Sequence, residues 1–401
     1  MDNHFSRPAL ASEMAHQLIH PGVLNESLRS GLFLSGQRRT GKTTFLLMDF
    51  IPALEQERAL AIYVDLWTDI KANPAQLVKR AIATALADLQ TPGSDMLKRL
   101  GRVTGMDVGA FGFKFGFKLD SIGQPDGVSL AEALTQLVDQ AKCDVVLIVD
   151  EVQQAMTTDE GNDMLFGLKA ARDAVNIRPN TPGKFIFVGT GSHRAMVSEM
   201  TTRRLQAFAG AASVPYPVLD EDYVGFILNR LNAEKVPNLP SMEALVAAFR
   251  MLGNRPEELL RALRNLQTSL KVSNTSPDET LAVVAATMRT SIADIELAKV
   301  DQLGALAQSI FNKIAFSDGD ARWLFSVDAA AEYSIAIGRE VKIEEIQPIV
   351  IELVESNLIM RQGHGRYSVS DPFVQTSWRE RKLLLSNTTA AGPNAGTAPM
   401  P

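Results

Sequence analysis

Short apolar runs alternate with stretches of helical apolar spacing from about residue 31 to residue 217. Residues 31–35 read as a strand entering a glycine turn, and 60–66 (LAIYVDL) as a second strand. A continuous, largely β-branched run at 145–149 predicts a third strand, of the kind buried on both faces of a parallel sheet. Residues 184–189 (KFIFVG) predict a fourth, and 213–219 a fifth. Between the second and third strands, Leu77, Val78, Ala81, Ile82, Ala85, Leu86 and Leu89 recur at helical spacing and place a helix over 74–89. Strands separated by helices imply βαβ units, a parallel sheet and ligands at the strands' C-terminal ends.

One stretch breaks this period. In 108–119, Phe111, Phe113, Phe115 and Phe117 alternate with Gly112, Lys114, Gly116 and Lys118. A period of two predicts an inserted β-ribbon, about 105–120, packing its phenylalanines on the body. The sharper alternative is a ribbon that stacks nucleic-acid bases while its lysines meet phosphate.

Beyond Glu221 the pattern turns helical, to about Leu270 and again after a loop at 273–277. Amphipathic helices are expected over 301–316, 322–337 and 344–356, then a hairpin of 358–361 and 366–369 around Gly363-His364-Gly365. Three helices and a hairpin follow the order of a winged helix-turn-helix. Pro348 should sit in the first turn of the third helix or kink it. The Asn-, Thr-, Ala-, Gly- and Pro-rich tail after Ser386 reads as disordered. The resulting division is a core over 1–217, a helical lid over 218–290, a winged helix over 291–385 and a tail over 386–401.

Composition narrows the setting. The 401 residues are 46% hydrophobic and 21% charged, as in ordinary globular proteins, and are too many for one typical core. A net charge of -6 gives no global attraction to nucleic acid. The single cysteine, Cys143, forbids an internal disulfide and reads as a buried core thiol. Residues 1–10 have no apolar signal region, and no apolar run is long enough to span a bilayer. The expected location is the cytoplasm, away from any membrane.

The chemistry centres on one loop. Gly36-Gln37-Arg38-Arg39-Thr40-Gly41-Lys42-Thr43 fits G-x-x-x-x-G-K-[ST], between a strand and a helix that includes Thr44. Its backbone N–H groups are expected to cradle a polyphosphate, Lys42 to reach the β and γ phosphates, and Thr43 to ligate Mg²⁺. The helix start adds its positive end. Asp150 and Glu151 end the third strand. Asp150 is placed to hold the magnesium through water, and Glu151 to polarise an attacking water. No other metal-ligand cluster stands out in the sequence.

Other candidates rest on position. Thr190, with Ser192 and His193 nearby, could sense the γ-phosphate. Arg203 and Arg204 follow the next helix, where an arginine finger could project, and Arg255 opens a lid helix from which it could close on the phosphates. Each has a plain alternative, as a turn or as solvated charge. His364 reads as a loop residue.

The loop GQRRTGKTT, the strands IYVDLW, VLIVDEVQ and FIFVGTGS, and the closing RYSVSDPF near Asp371 together resemble the archaeal-type P-loop ATPases of the AAA+ and STAND lineage. The resemblance runs over roughly residues 5–385. It implies an α/β P-loop fold with a parallel-sheet core, helical lid and winged helix, ATP with Mg²⁺ as ligands, and a hydrolysis-driven switch. Gln153 matches a glutamine often found after the acid pair. Such proteins often carry Gly-Arg before the fifth strand, where this chain has Gly210-Ala211, with Arg203 and Arg204 earlier. The nuclease-like domain that some relatives append is not expected within these 401 residues.

Two functions follow. One is an ATPase switch whose winged helix meets a protein partner or the core itself, with self-association included. The other is a DNA-handling ATPase of the initiator or transposition-helper kind, binding duplex DNA. The expected recognition helix carries Glu344, Glu345, Glu352 and Glu355 against Lys342 alone, which repels phosphate. Arg361, His364, Arg366, Arg379, Arg381 and Lys382 keep DNA contact open. A third reading, a small-molecule phosphotransferase, fits the Asp-Glu pair and the long C-terminal extension poorly.

Overall fold

The computed structural model describes residues 4–390 except 70–71, 106–112, 124–125, 193, 272–274, 318, 357 and 364. The chain divides into two compact units, Met1–Leu219 and Asp220–Pro401.

The first unit is built on five parallel strands: β1 (Leu32–Ser35), β2 (Ala59–Asp65), β3 (Asp144–Asp150), β4 (Phe185–Gly191) and β5 (Ala212–Pro215). Their order is β2-β3-β4-β1-β5. All five overlap the apolar runs that predict them, although β5 ends at Pro215 and not at 219. The two-residue period of each strand sends alternate side chains to opposite layers. Phe33, Ile62, Leu147 and Phe187 enter one core with the helices Pro74–Gln90, Leu130–Ala141 and Asp159–Asn176. Leu34, Ala61, Ile148 and Val188 enter the other, with the helix Pro8–Ile19 and the helix that leaves the phosphate loop. Burying a side chain of this size contributes about 1.5–3 kcal/mol. Side-chain oxygens start the helices: Asn73 accepts from Ala75 N at 2.9 Å, Ser129 from Glu132 N at 3.1 Å and Thr158 from Gly161 N at 3.0 Å.

The phosphate-loop helix has three consecutive parts: Lys42–Phe45, a π-turn Leu46–Phe50, and Ile51–Gln56. Pro52 opens the third part and has no N–H to give to Met48, which accounts for the widened turn before it. Asp49, buried on this helix, receives the N-terminal segment. It accepts from Ser6 Oγ at 2.5 Å and from Arg7 N at 3.2 Å, and it pairs with His4 Nε2 at 3.1 Å.

The ribbon expected at about 105–120 is not found among the described residues. Phe113–Lys118 form no strand, and 106–112, with Phe111, lie outside the described part. Phe113, Phe115 and Phe117 nonetheless pack against the first core. Phe113 N bonds Leu89 O at 2.9 Å and Gln140 Nε2 bonds Lys114 O at 2.7 Å. In the described part, Phe113, Phe115 and Phe117 are apolar side chains laid on a helix layer, and no described strand pairs with them.

The second unit begins with helices Glu221–Ala233, Met242–Met251 and Pro256–Ser269. A 26-residue helix, Pro277–Gln302, then runs unbroken past residue 290, so the lid boundary placed there falls inside a helix. Helices Ala305–Phe316, Val327–Ile337 and Ile343–Glu355 follow, with strands β6 (Ala321–Arg322), β7 (Ile359–Gly363) and β8 (Arg366–Val369) in the order β6-β8-β7. Arg322, expected to open a helix, lies in β6 opposite Arg366. Pro348 lies beyond the first turn of its helix, where it has no N–H to offer Glu344 O. The last helix, Pro372–Ala390, continues past the expected start of the tail at 386, because no Gly or Pro interrupts it before Gly392. Its Trp378 is fully buried edge-on to Phe311 and donates Nε1–H to Asn312 Oδ1 at 3.0 Å.

Candidate functional site

The phosphate loop turns at the C-terminal end of β1. Gly36 N bonds Gly191 O at 3.0 Å, tying the loop's first residue to the end of β4. Two residues take left-handed backbone, Arg39 (φ 62°) and Gly41 (φ 88°), and the helix opens immediately afterwards at Lys42. The N–H groups of its first turn, including those of Thr43 and Thr44, point out of the helix start without intrahelical acceptors. Thr40 closes the loop from inside through Oγ1–H to Gln37 O at 2.7 Å.

Lys42 is buried and folds back over the loop. Its Nζ donates to Gly36 O at 2.7 Å and to Gln37 O at 3.0 Å. Burial holds its ammonium below the ordinary lysine value. The charges of Glu151 and then Asp150 work against that, and Arg38 works with it. An amine in this position is short of anionic partners, a demand that phosphate oxygens would meet.

Asp150 is the most heavily hydrogen-bonded carboxylate of the site. Its Oδ2 accepts from Thr43 Oγ1 at 2.7 Å and from Tyr63 Oη at 3.1 Å. Its Oδ1 accepts from Thr190 Oγ1 and from Glu151 N, the latter at 3.0 Å. The register explains the convergence: β3 lies between β2 and β4, so Tyr63 and Thr190 flank its C-terminal end. Burial, reinforced by the charge of Asp150, raises the Tyr63 hydroxyl far above its ordinary value, so it remains a donor.

Glu151 departs from the strand with φ 53° and ψ 42°, a left-handed conformation that costs a residue with a side chain about 1–2 kcal/mol. Its carboxylate is held in return. Oε2 accepts from Ser192 Oγ at 2.8 Å, from Ser192 N at 3.2 Å and from Gln153 Nε2. Arg38 Nε also reaches Ser192 Oγ, at 3.3 Å, while its guanidinium lies 4.1 Å from the centroid of the Trp67 ring. Asp65 ends β2 opposite Asp150. Burial raises its carboxyl above the usual range, the Trp67 N–H at 2.8 Å opposes this, and the charges of Asp150 and Glu151 add to it.

Gly36, Gln37, Arg38, Arg39, Thr40, Gly41, Lys42, Thr43 and Thr44 thus lie along one turn, with Asp150, Glu151 and Thr190 beside it. Arg203 and Arg204 stand at the end of the helix Arg194–Thr202. Arg203 pairs with the buried Glu199 four residues earlier, and Arg204 is exposed. Arg255, in the second unit, donates Nη2–H to Asp371 Oδ2 at 2.6 Å, and Asp371 Oδ1 accepts from Phe373 N at 2.9 Å. His193 and His364 lie outside the described residues. Tyr63 and Asp65 were missed as site residues, although IYVDLW places both at a strand end. Ser192's grip on Glu151 joins positions 41 apart and has no local signature.

Residues 25–197 match the family model described as an AAA domain. The Walker-type ATPase PABY2304 of Pyrococcus abyssi is 17% identical, with 94% of this chain and 96% of that one covered at a TM-score of 0.51. The Aeropyrum pernix ORC2 protein in its ADP form is 13% identical, with 97% and 98% covered at 0.52. At such identities the likeness concerns the fold alone. No curated protein matches the sequence, and among the described residues no helix is long and apolar enough to cross a membrane. Residues 25–197 thus match an AAA domain, and their fold, phosphate loop and acid strand are those of a P-loop ATPase.

Proposed function

We propose that the chain is a magnesium-dependent, ATP-hydrolysing switch of the AAA+/STAND kind acting in the cytoplasm, and that a C-terminal winged helix passes its nucleotide state to a protein partner. The observation that carries the hydrolytic half is the pairing of Asp150 on Thr43 with Glu151 held one residue further on by Ser192 and Gln153. The residues fit Mg²⁺ with a nucleoside triphosphate. Three carboxylates, Asp65, Asp150 and Glu151, crowd the strand ends, and burial there raises the first of them. When bound, the metal and nucleotide supply the phosphoanhydride and the charge that draws on it. Thr43 and Asp150 would hold the metal, directly and through water. Lys42 turns its ammonium from the Gly36 and Gln37 carbonyls onto phosphate oxygens. Glu151 orients a water and takes its proton, and Thr190, hydrogen-bonded to Asp150, reports the state of the γ-phosphate to β4. Arg203, Arg204 and Arg255 remain candidates for charge stabilisation. For Arg255 this requires leaving Asp371.

The choice of a protein partner rests on the helix Ile343–Glu355. Its exposed positions are Ile343, Glu344, Gln347, Pro348, Ile351, Glu352, Val354 and Glu355, with no lysine or arginine among its 13 residues. Ile351 is 48% exposed, and Ile335 on the preceding helix is 84% exposed. An apolar and acidic surface suits a protein and repels a phosphate backbone. Four of the basic residues that favour DNA, all with described side chains, make contacts within the unit. Arg379 bonds Ser317 O at 3.1 Å, Arg381 pairs with Asp301 at 3.0 Å, Arg366 pairs with Asp320 at 3.5 Å, and Lys382 Nζ lies 4.6 Å from the Trp378 ring centroid.

The test is ATP turnover by the whole chain with and without a random-sequence duplex, at low and physiological salt and over a range of protein concentrations. Turnover indifferent to duplex at physiological salt is expected. A rise in specific activity with concentration identifies a second copy as the partner. Strong stimulation by duplex at physiological salt, lost when the Ile343–Glu355 helix is altered, transfers the conclusion to a DNA-handling ATPase.

A further inference from the structure

A second group of ligating side chains sits away from the strand ends that carry the phosphate loop. His16 and His20 are four residues apart, at the last turn and C-cap of the helix Pro8–Ile19, and so share one helix face. Glu57 is the C-cap of Ile51–Gln56, the last part of the phosphate-loop helix, which packs beside it. His16 Nδ1 lies 3.2 Å from Glu57 Oε1, and His20 Nε2 lies 3.3 Å from Glu57 Oε2. One ligand atom from each of the three falls within 4.8 Å of the others.

We propose that His16, His20 and Glu57 form a binding site for a late first-row divalent ion, with Zn²⁺ the best fit. A tetrahedral zinc with bonds of about 2.0–2.2 Å needs ligand atoms roughly 3.3–3.6 Å apart. Each imidazole already stands close to that range from one of the two Glu57 oxygens, so whichever oxygen binds, one separation is near it and the others lie within 4.8 Å. The imidazoles are 65% and 58% exposed, so ring rotations can close the remaining separations. The donor set selects the metal: two imidazole nitrogens and one carboxylate suit zinc and its neighbours, whereas Mg²⁺ and Ca²⁺ prefer oxygen alone. Both elements present their C-terminal ends here, each with about half a unit of negative charge, which favours a cation. Three protein ligands leave the fourth position to water. His20 and Glu57 also line a cavity of about 510 Å³ with Arg58, Thr104, Lys142 and Cys143, which gives that water access.

The site would staple two elements. The helix Pro8–Ile19 starts beside Arg7, whose Nη1 donates to Tyr216 Oη at 3.0 Å, and Tyr216 Oη donates to the phosphate-loop residue Gly41 at 3.4 Å. Its other end would be fixed by the metal to the end of the phosphate-loop helix.

Untagged full-length protein, freed of metal, is titrated with Zn²⁺ by calorimetry and with Co²⁺ by visible absorption. One equivalent should bind, with the intense d–d bands of a four-coordinate site, and should raise the melting temperature. Excess Mg²⁺ should not displace it. His16→Gln and His20→Gln should each weaken binding by at least the roughly tenfold lost when a support of a ligand is removed. Circular dichroism of these exposed-site variants reports their fold independently. His4→Gln and Cys143→Ser should bind as the wild type does. Absence of saturable binding overturns the proposal, as does binding that survives both His16 and His20 changes or disappears with His4 or Cys143.

Discussion

Replacing Glu151 with Gln separates holding the nucleotide from turning it over. The glutamine carbonyl can take the place of Oε2 and keep the donors from Ser192 Oγ at 2.8 Å, Ser192 N at 3.2 Å and Gln153 Nε2. No hydrogen bond of this set is lost, so the cost to the fold should stay below the ~0.5–1.5 kcal/mol of a single deleted bond. Basicity disappears entirely. Loss of a proton-accepting group lowers kcat about 10²–10⁴-fold, or about 2.7–5.4 kcal/mol in the barrier. A second effect follows from Lys42. Glu151 is the strongest of the charges that hold the Lys42 ammonium up against burial. Its removal depresses Lys42 further below 10.5. The ammonium is the form that binds phosphate, so ATP affinity is flat below the free Lys42 value and falls as pH rises through it. That fall should begin at lower pH in Glu151→Gln than in the wild type. Single-turnover kinetics give the rate, and titration calorimetry from neutral pH upward gives the affinity. Turnover within tenfold of wild type, or affinity curves that coincide at every pH, would refute the assigned roles.

Lys42→Ala should abolish measurable ATP binding in calorimetry while leaving the circular dichroism spectrum unchanged, since the amine bonds the loop carbonyls of Gly36 and Gln37 and no element of the sheet or helices. In Gly191→Ala the new methyl carbon would stand 2.3 Å from Gln153 Oε1 and 2.7 Å from Val197 Cγ2, displacing the residue that holds Glu151. It should lower kcat with little change in the dissociation constant for ATP, and equal losses in both would assign Gly191 to nucleotide binding. Asp49→Ala strips the acceptor from Ser6 and Arg7 and should cost about 1–3 kcal/mol in urea unfolding. An unchanged midpoint would mean that the N-terminal segment is held by its apolar contacts alone.

The sheet was legible because each strand carries its own evidence. Five apolar residues in a row at 145–149 suit a strand buried on both faces, as in a parallel sheet, and Gly41 stands where the loop reaches φ 88°, a conformation that favours glycine. What failed were signals whose meaning depends on neighbours. The alternating phenylalanines have strand period, but a strand needs a partner edge, and within the described part, from Phe113 on, Phe113 bonds a helix end at Leu89 instead. Arg322 fits a helical pattern by apolar spacing, yet its backbone is claimed by Arg366, 44 positions on. Residues 386–390 have weak helix formers, yet they extend a helix already anchored by Trp378 in the core, where propagation costs less than nucleation.

The same distinction divides the nucleotide site. The phosphate loop and the Asp150-Glu151 pair are contiguous motifs, so their chemistry is written locally. Their orientation is not: the donors that fix Asp150 come from positions 43, 63 and 190, and those that fix Glu151 from 153 and 192. A single sequence states which groups can react but leaves out which long-range contacts hold them. His16, His20 and Glu57 illustrate the point from the other side. The histidine spacing is visible once a helix is assigned, but the carboxylate that completes the set arrives from position 57 through helix packing. Ligand sets assembled in this way emerge only when tertiary contacts are known. Motifs therefore locate the phosphate chemistry of this chain, while its supporting residues and any second ion site follow from the packing of helices on the sheet.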